Sequence, residues 1–157
     1  AGSDVYPAGM VVKSTYGAHH TPGFNTSSTN WVASGCTVTI DPIYTNSVVE
    51  ISWHIGSVHI NHTANRAGAF ILRNTTQDHY VHGSRTEESY VGTDSEDGYY
   101  YMGQSGSGRE SLSTGASQTY ALYFYAITGT FYGANGTYGN SSTEDHTVSM
   151  IIHEVKV

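Results

Sequence analysis

Between Val48 and Ile60 apolar and polar side chains alternate one by one: Val49, Ile51, Trp53 and Ile55 on one parity, Glu50, Ser52 and His54 on the other. An extended chain sends successive side chains to opposite faces, so this stretch is a half-buried antiparallel strand and nothing else economical. Past Gly56 the phase slips, and Val58 and Ile60 would point away from the core. A bulge at Gly56-Ser57 would return them to it. Once one strand must bury a face, the rest of the chain has to supply a second sheet to cover it.

The remaining pattern agrees. Strands are predicted for residues 10–16, for a bent segment 31–40 with Gly35 as a bulge, and for 68–73, 117–127 and 147–157. The stretch 17–30 is turn-rich. Short strands are predicted near His79–His82 and Tyr99–Met102, and Gln104-Ser105-Gly106-Ser107-Gly108 reads by composition as a flexible turn. Only three leucines (Leu72, Leu112, Leu122) and six lysines plus arginines occur, against thirteen tyrosines and abundant Ser and Thr, which disfavours long helices. The fold class expected is all-β: an antiparallel β-sandwich of jelly-roll type, with a barrel as the alternative. Its 157 residues suit one domain, with residues 1–9 as an N-terminal arm or linker and 10–157 as the sandwich. Both the 120–127 and 147–157 segments are apolar on both parities, which predicts that a loop or a neighbouring subunit covers the second face, and hence a homo-oligomer.

Charge and cysteine content narrow the chemistry. The net charge is −7, and the arginines (Arg66, Arg73, Arg85, Arg109) are dispersed along the chain. A nucleic-acid groove needs a clustered basic footprint, so no nucleic-acid partner is expected, and no apolar run is long enough for membrane insertion. Cys36 is the single cysteine, predicted to be a buried strand thiol. Nine histidines invite a metal, yet His79/His82 and His19/His20 have spacings that place them on opposite strand parities, as does His54/His59 unless the Gly56-Ser57 bulge changes the phase, so no metal and no cofactor are predicted within a subunit. One histidine per subunit on a symmetry axis would still supply three ligands. Asp94-x-Glu96-Asp97-Gly98 offers oxygen donors but lacks the ladder of a calcium loop, and a solvated acidic loop is expected. Serines, histidines and carboxylates occur without a nucleophile elbow, a zinc-protease motif or a distinctive carboxylate pair, so the chain is expected not to be an enzyme. Asn25, Asn61, Asn74, Asn135 and Asn140 carry the Asn-x-Ser/Thr pattern, which glycans would use only in a secreted eukaryotic protein.

Tyrosine is the more informative residue. Tyr99, Tyr100 and Tyr101 are consecutive, so an extended chain cannot bury all three in one core. With Tyr138 they are the candidate ligand-binding residues, on glycine-rich polar segments 86–108 and 133–145 that are expected to lie as loops at one end of the sandwich. A phenol ring offers an apolar face and a hydroxyl, suited to sugars and to protein interfaces alike.

The order of strand motifs also carries a resemblance. Thr26–Val32, Cys36–Pro42, Ser47–Ser52, Ala69–Thr75, Thr119–Phe124 and Ser149–Val155 follow one another as in the C-terminal domain of phage tail-fibre and related virion appendage proteins, of the type found in marine or cyanobacterial phages. The chain resembles that family at both ends of the domain, with residues 77–117 unmatched. The resemblance implies a β-sandwich head in the virion, a homotrimer, whose loops serve receptor binding and host attachment by touching a host-surface glycan or protein. Alternatives are a secreted lectin-like carbohydrate-binding module, calcium-dependent or not, and a capsid-decoration protein or secreted hydrolase.

Overall fold

The computed structural model describes residues 6–19, 24–60, 67–89, 100–127, 131–133 and 148–157. Among these residues eleven strands follow in order: β1 (Val11–His19), β2 (Phe24–Thr26), β3 (Val32–Ile40), β4 (Ser47–Ile60), β5 (Ala67–Asn74), β6 (His79–Tyr80), β7 (Thr86–Ser89), β8 (Tyr100–Leu112), β9 (Gln118–Ala126), β10 (Phe131–Gly133) and β11 (Val148–Lys156). Every pairing is antiparallel. The fold is therefore all-β, as the alternation predicts.

Two sheets form, and each is four strands wide. In the first, β8 pairs with β4 from Ser47 to Ile60, so it occupies one edge of β4 along the whole strand. The other edge is shared end to end, by β11 at Ser47–Ile55 and by β10 at Val58–Ile60. Beyond β11 lies β1, and beyond β10 lies β2. The order across the main body is β1-β11-β4-β8. The second sheet runs β3-β9-β5, and the far edge of β5 is again shared, by β7 at Ala67–Phe70 and by β6 at Arg73–Asn74.

The inward parities meet between the sheets. Val49, Ile51, Trp53 and Ile55 of β4, with Met150 and Ile152 of β11, face Phe70 and Leu72 of β5 and Tyr120, Leu122 and Phe124 of β9, all buried. Trp53 packs on Phe70 with ring centroids 5.4 Å apart. Both predicted bulges are present as register shifts, between Ala33 and Thr37 in β3 and between Ile55 and Val58 in β4. Gly35 has φ 86°, a conformation open to glycine. Cys36 is free and buried beside Val38 and Ile40, and burial pushes its thiol up to about 11.

Three expectations need correction. Gln104–Gly108 is no turn, and 86–108 is no single loop: Thr86–Ser89 form β7 on β5, and Gln104–Gly108 are the middle of β8, paired with Ile51–Ile55 of β4. A Cβ on Gly106 would come within 2.5 Å of the Trp53 indole, so the strand needs a bare backbone there to pass over the ring. The stretch 17–30, read as turn, carries the end of β1 and the three-residue β2.

One end of the sandwich is closed by polar side chains. Glu154, fully buried at the end of β11, accepts hydrogen bonds from the Ile43 and Tyr44 amides at 2.7 and 3.0 Å, tying the segment after β3 to the first sheet. Asn74 donates to Glu110 and Gln118, both at 3.1 Å, and its carbonyl oxygen accepts from the Thr76 and Gln77 amides. His79 Nε2 stands 3.1 Å from the Glu110 carboxylate. Burial raises the pKa of the nearby Tyr120 phenol, and the Glu110 carboxylate raises it further.

Candidate functional site

The outer face of the second sheet holds four aromatic rings and two arginines drawn from every strand position across it. Tyr123 and Tyr125 stand on the outward parity of β9, alternating with the core residues Leu122, Phe124 and Ala126. Trp31, just before β3, reaches in from one edge and meets Tyr125 edge-on with centroids 4.4 Å apart. Tyr80 of β6 reaches in from the opposite edge, edge-on to Tyr123 at 6.2 Å and 6.0 Å from Trp31. The rings thus join across the sheet.

The guanidinium groups fill the spaces between them. Arg73 of β5 lies 5.2 Å from the Tyr80 centroid and 5.4 Å from that of Tyr123, and pairs with Asp78. Arg85 lies 5.8 Å from the Trp31 centroid and 5.7 Å from that of Tyr125, and donates a 2.7 Å hydrogen bond to the Tyr125 hydroxyl. Rings and cations of this kind attract through the ring quadrupole. Trp, Tyr and Arg are also the residues that dominate binding energy at protein interfaces. The outward face of β9 was expected to need a loop or a subunit over it. The chain's own Trp31, Tyr80, Arg73 and Arg85 cover part of it, leaving Tyr123 and Tyr125 half-buried and Tyr80 exposed.

A local device brings Tyr80 and Arg85 to this face. Residues 81–84 interrupt the edge strand between β6 and β7. Val81 keeps its amide on Leu72 at 2.9 Å, while the Leu72 amide donates to the buried Ser84 hydroxyl at 3.0 Å and that hydroxyl donates to Val81 at 2.7 Å. The Ser84 side chain thereby takes the place of a backbone partner, and His82 and Gly83 are pushed outward, Gly83 at φ 76°.

The predicted site residues are placed in part. Tyr100 and Tyr101 begin β8, opposite Ile60 and His59 of β4. Tyr99 and Tyr138 lie outside the described residues, as do the Asp94–Gly98 acidic loop and residues 134–145. Register places the described strand ends. Ile60 pairs with Tyr100 and with Phe131, Ala67 pairs with Ser89, and Gly68 pairs with Ala126. The ends of β4, β7 and β9 and the starts of β5, β8 and β10 therefore share one end of the sandwich, opposite the polar closure. Trp31 and Tyr125 lie towards that end as well, since Tyr125 pairs with Ala69.

Among the described residues, no group of three or more His, Cys, Asp or Glu converges as a metal site. No helix among the described residues is long and apolar enough to cross a membrane. Nothing in the sequence reading singled out Trp31, Tyr80 or the two arginines as a cluster. Their sequence signal was the outward aromatic parity of β9, which announced an occupied second face without saying what fills it.

No family model and no curated protein matches the chain.

Proposed function

We propose that the chain is a non-enzymatic recognition module: a jelly-roll head of a virion appendage of the phage tail-fibre kind, which binds a host-surface glycan or protein. The jelly-roll reading is supported by the strand order β1-β11-β4-β8 over β3-β9-β5-β7, the order of two nested Greek keys, an architecture shared by viral capsid and lectin domains. The observation that carries the recognition role is the aromatic–arginine face of Trp31, Tyr80, Tyr123 and Tyr125 with Arg73 and Arg85. Rings supported by a rigid sheet present large contact area at little entropic cost, which suits sugar stacking and protein contact. Tyr99, Tyr100, Tyr101 and Tyr138, the ligand-binding residues expected from the sequence, extend the contact surface in this reading.

The head works as a homotrimer, so that three weak sites gain avidity on a cell surface. The fold also suits a secreted lectin-like module, because exposed rings on a sheet face serve a soluble polysaccharide equally well.

The test uses Trp31→Ala and Tyr80→Ser, each first shown to retain melting behaviour and oligomer mass. Both are expected to lose adsorption to host cells and retention on a glycan array. Folded variants that bind like the parent overturn the placement of the site. Light scattering should give three times 16.9 kDa, and the monomer mass would refute the trimer. Binding to soluble polysaccharide without cell adsorption favours the lectin-like module.

A further inference from the structure

A second surface lies on the other sheet. Where β4 and β8 run side by side, Glu50 pairs with Arg109, Ile51 with Gly108 and Ser52 with Ser107. Glu50, Ser52, Ser107 and Arg109 take the exposed parity of the two strands. Over these pairs is a cleft of about 400 Å³, and among the described residues its further wall is His82 and Gly83. That wall exists because the edge strand of the second sheet is broken at 81–84 and held open by the buried Ser84 hydroxyl. Gly83 at φ 76° makes the turn, and Gly108 lets Val81 and Ser84 close in behind β8, since a Cβ there would meet them at 2.9 and 3.0 Å. The cleft is thus bounded by elements of both sheets.

Its chemistry is specific. Glu50 Oε1 and Arg109 Nε are 3.7 Å apart, with side chains 51% and 67% exposed. That separation is an ion pair but exceeds hydrogen-bond length, so the carboxylate keeps lone pairs and the guanidinium keeps N–H donors for a ligand. Two serine hydroxyls and an imidazole add groups that both donate and accept. The charged pair sums to zero, so the cleft itself favours neither an anion nor a cation, and the protein's net charge of −7 works further against an anion. A neutral molecule dense in hydroxyls meets all these groups at once: one hydroxyl of a vicinal diol donates to the carboxylate while its neighbour accepts from the guanidinium. The volume falls in the lower range for small-molecule pockets, enough for a single sugar ring.

We propose that this cleft, formed by Glu50, Ser52, Ser107 and Arg109 under the His82–Gly83 wall, binds a neutral saccharide unit through a vicinal diol, as a site separate from the aromatic face. Among its described lining residues there is no Trp, Tyr or Phe to stack on, so affinity is weak and comes from charge-assisted hydrogen bonds.

Amide chemical shifts of the full chain, titrated with methyl glycosides of glucose, galactose and mannose, test this directly. At least one glycoside is expected to move Ser52, Ser107, Gly108 and Gly83 with a millimolar dissociation constant. Glu50→Gln and Arg109→Ala alter exposed groups and leave the core intact, and each should weaken binding about tenfold or more. Trp31→Ala should leave it unchanged, so failure of this cleft and failure of the aromatic face are told apart. The proposal is overturned if no glycoside moves these amides, if the shifts map only to Trp31 and Tyr125, or if either cleft variant binds like the parent. Preferential binding of sodium glucuronate or of zwitterionic glycine would also overturn it, by showing a charged ligand class.

Discussion

Glycine at position 106 is a packing requirement, and an alanine there measures it. A Cβ on Gly106 would lie 2.5, 2.6 and 2.9 Å from three atoms of the Trp53 ring. Trp53 is 2% exposed and wedged against Phe70, so the ring has nowhere to retreat. Forcing an extra carbon into a packed core costs about 1–3 kcal/mol, offset by about 0.5–1 kcal/mol because alanine loses less backbone entropy than glycine in a strand. Gly103, three residues earlier on the same strand, is the internal control: its Cβ would have nothing closer than 3.5 Å. Gly103→Ala should therefore keep only the entropic gain. For a chain of this size each kcal/mol moves the melting temperature by about 2–4 °C. Gly106→Ala is expected to melt several degrees below the parent, and Gly103→Ala at or above it. Differential scanning calorimetry reads both, and tryptophan emission reports whether the Trp53 environment has opened. Equal melting temperatures for the two variants would refute the account of β8 and restore the view that its glycines are there for flexibility.

Three further outcomes follow from buried groups. Glu154→Gln keeps the shape but turns one acceptor into a donor facing the Ile43 or Tyr44 amide, and should cost about 2–4 kcal/mol by chemical denaturation; a loss within error would show that the two amides find other partners. Ser84→Ala strands the buried Leu72 amide, costing about 1–3 kcal/mol, and hydrogen exchange at Leu72 should accelerate more than at Phe70. The Cys36 thiol, raised from 9.0 to about 11, favours the protonated folded state, so its contribution is full below pH 9 and is lost as pH rises towards 11. Stability of the parent relative to Cys36→Ala should stay level up to pH 9 and fall by about 2–3 kcal/mol above it; a difference flat across that window would refute the burial argument, as would rapid alkylation of the folded protein at pH 8.

What the sequence made legible was whatever one buried face dictates. Val49, Ile51, Trp53 and Ile55 announce β4 because every second residue enters the core. The bulges at Gly35 and Gly56 were readable for the same reason, since a slip in phase has to be absorbed somewhere. β8 past Met102 was hidden because it answers to its neighbours: its inward glycines are set by Trp53, Val81 and Leu72, which no local pattern reveals. The aromatic–arginine face was hidden differently. Arg73 and Arg85 look dispersed along the chain, and Trp31 and Tyr80 come from opposite edges of a sheet whose strand order the sequence does not disclose. The cleft needs the same missing knowledge, since Glu50 and Arg109 become neighbours only through register.

The position of β11 has a consequence for how the chain is made. This strand, residues 148–156, lies between β1 and β4, so the first sheet is divided until it arrives. During synthesis β1 waits with no partner in its own sheet, and one edge of β4 stays open through nearly the whole passage of the domain from the ribosome. Contacts that span most of the sequence make folding slow, on the scale of milliseconds to seconds, and expose strand edges meanwhile. A ribosome that stops short of Val148 would therefore release a chain that is split down the middle of a sheet, ready to pair with its neighbours. The polar, serine-rich outward faces of β4 and β8 help keep such a nascent chain from adhering to the next one.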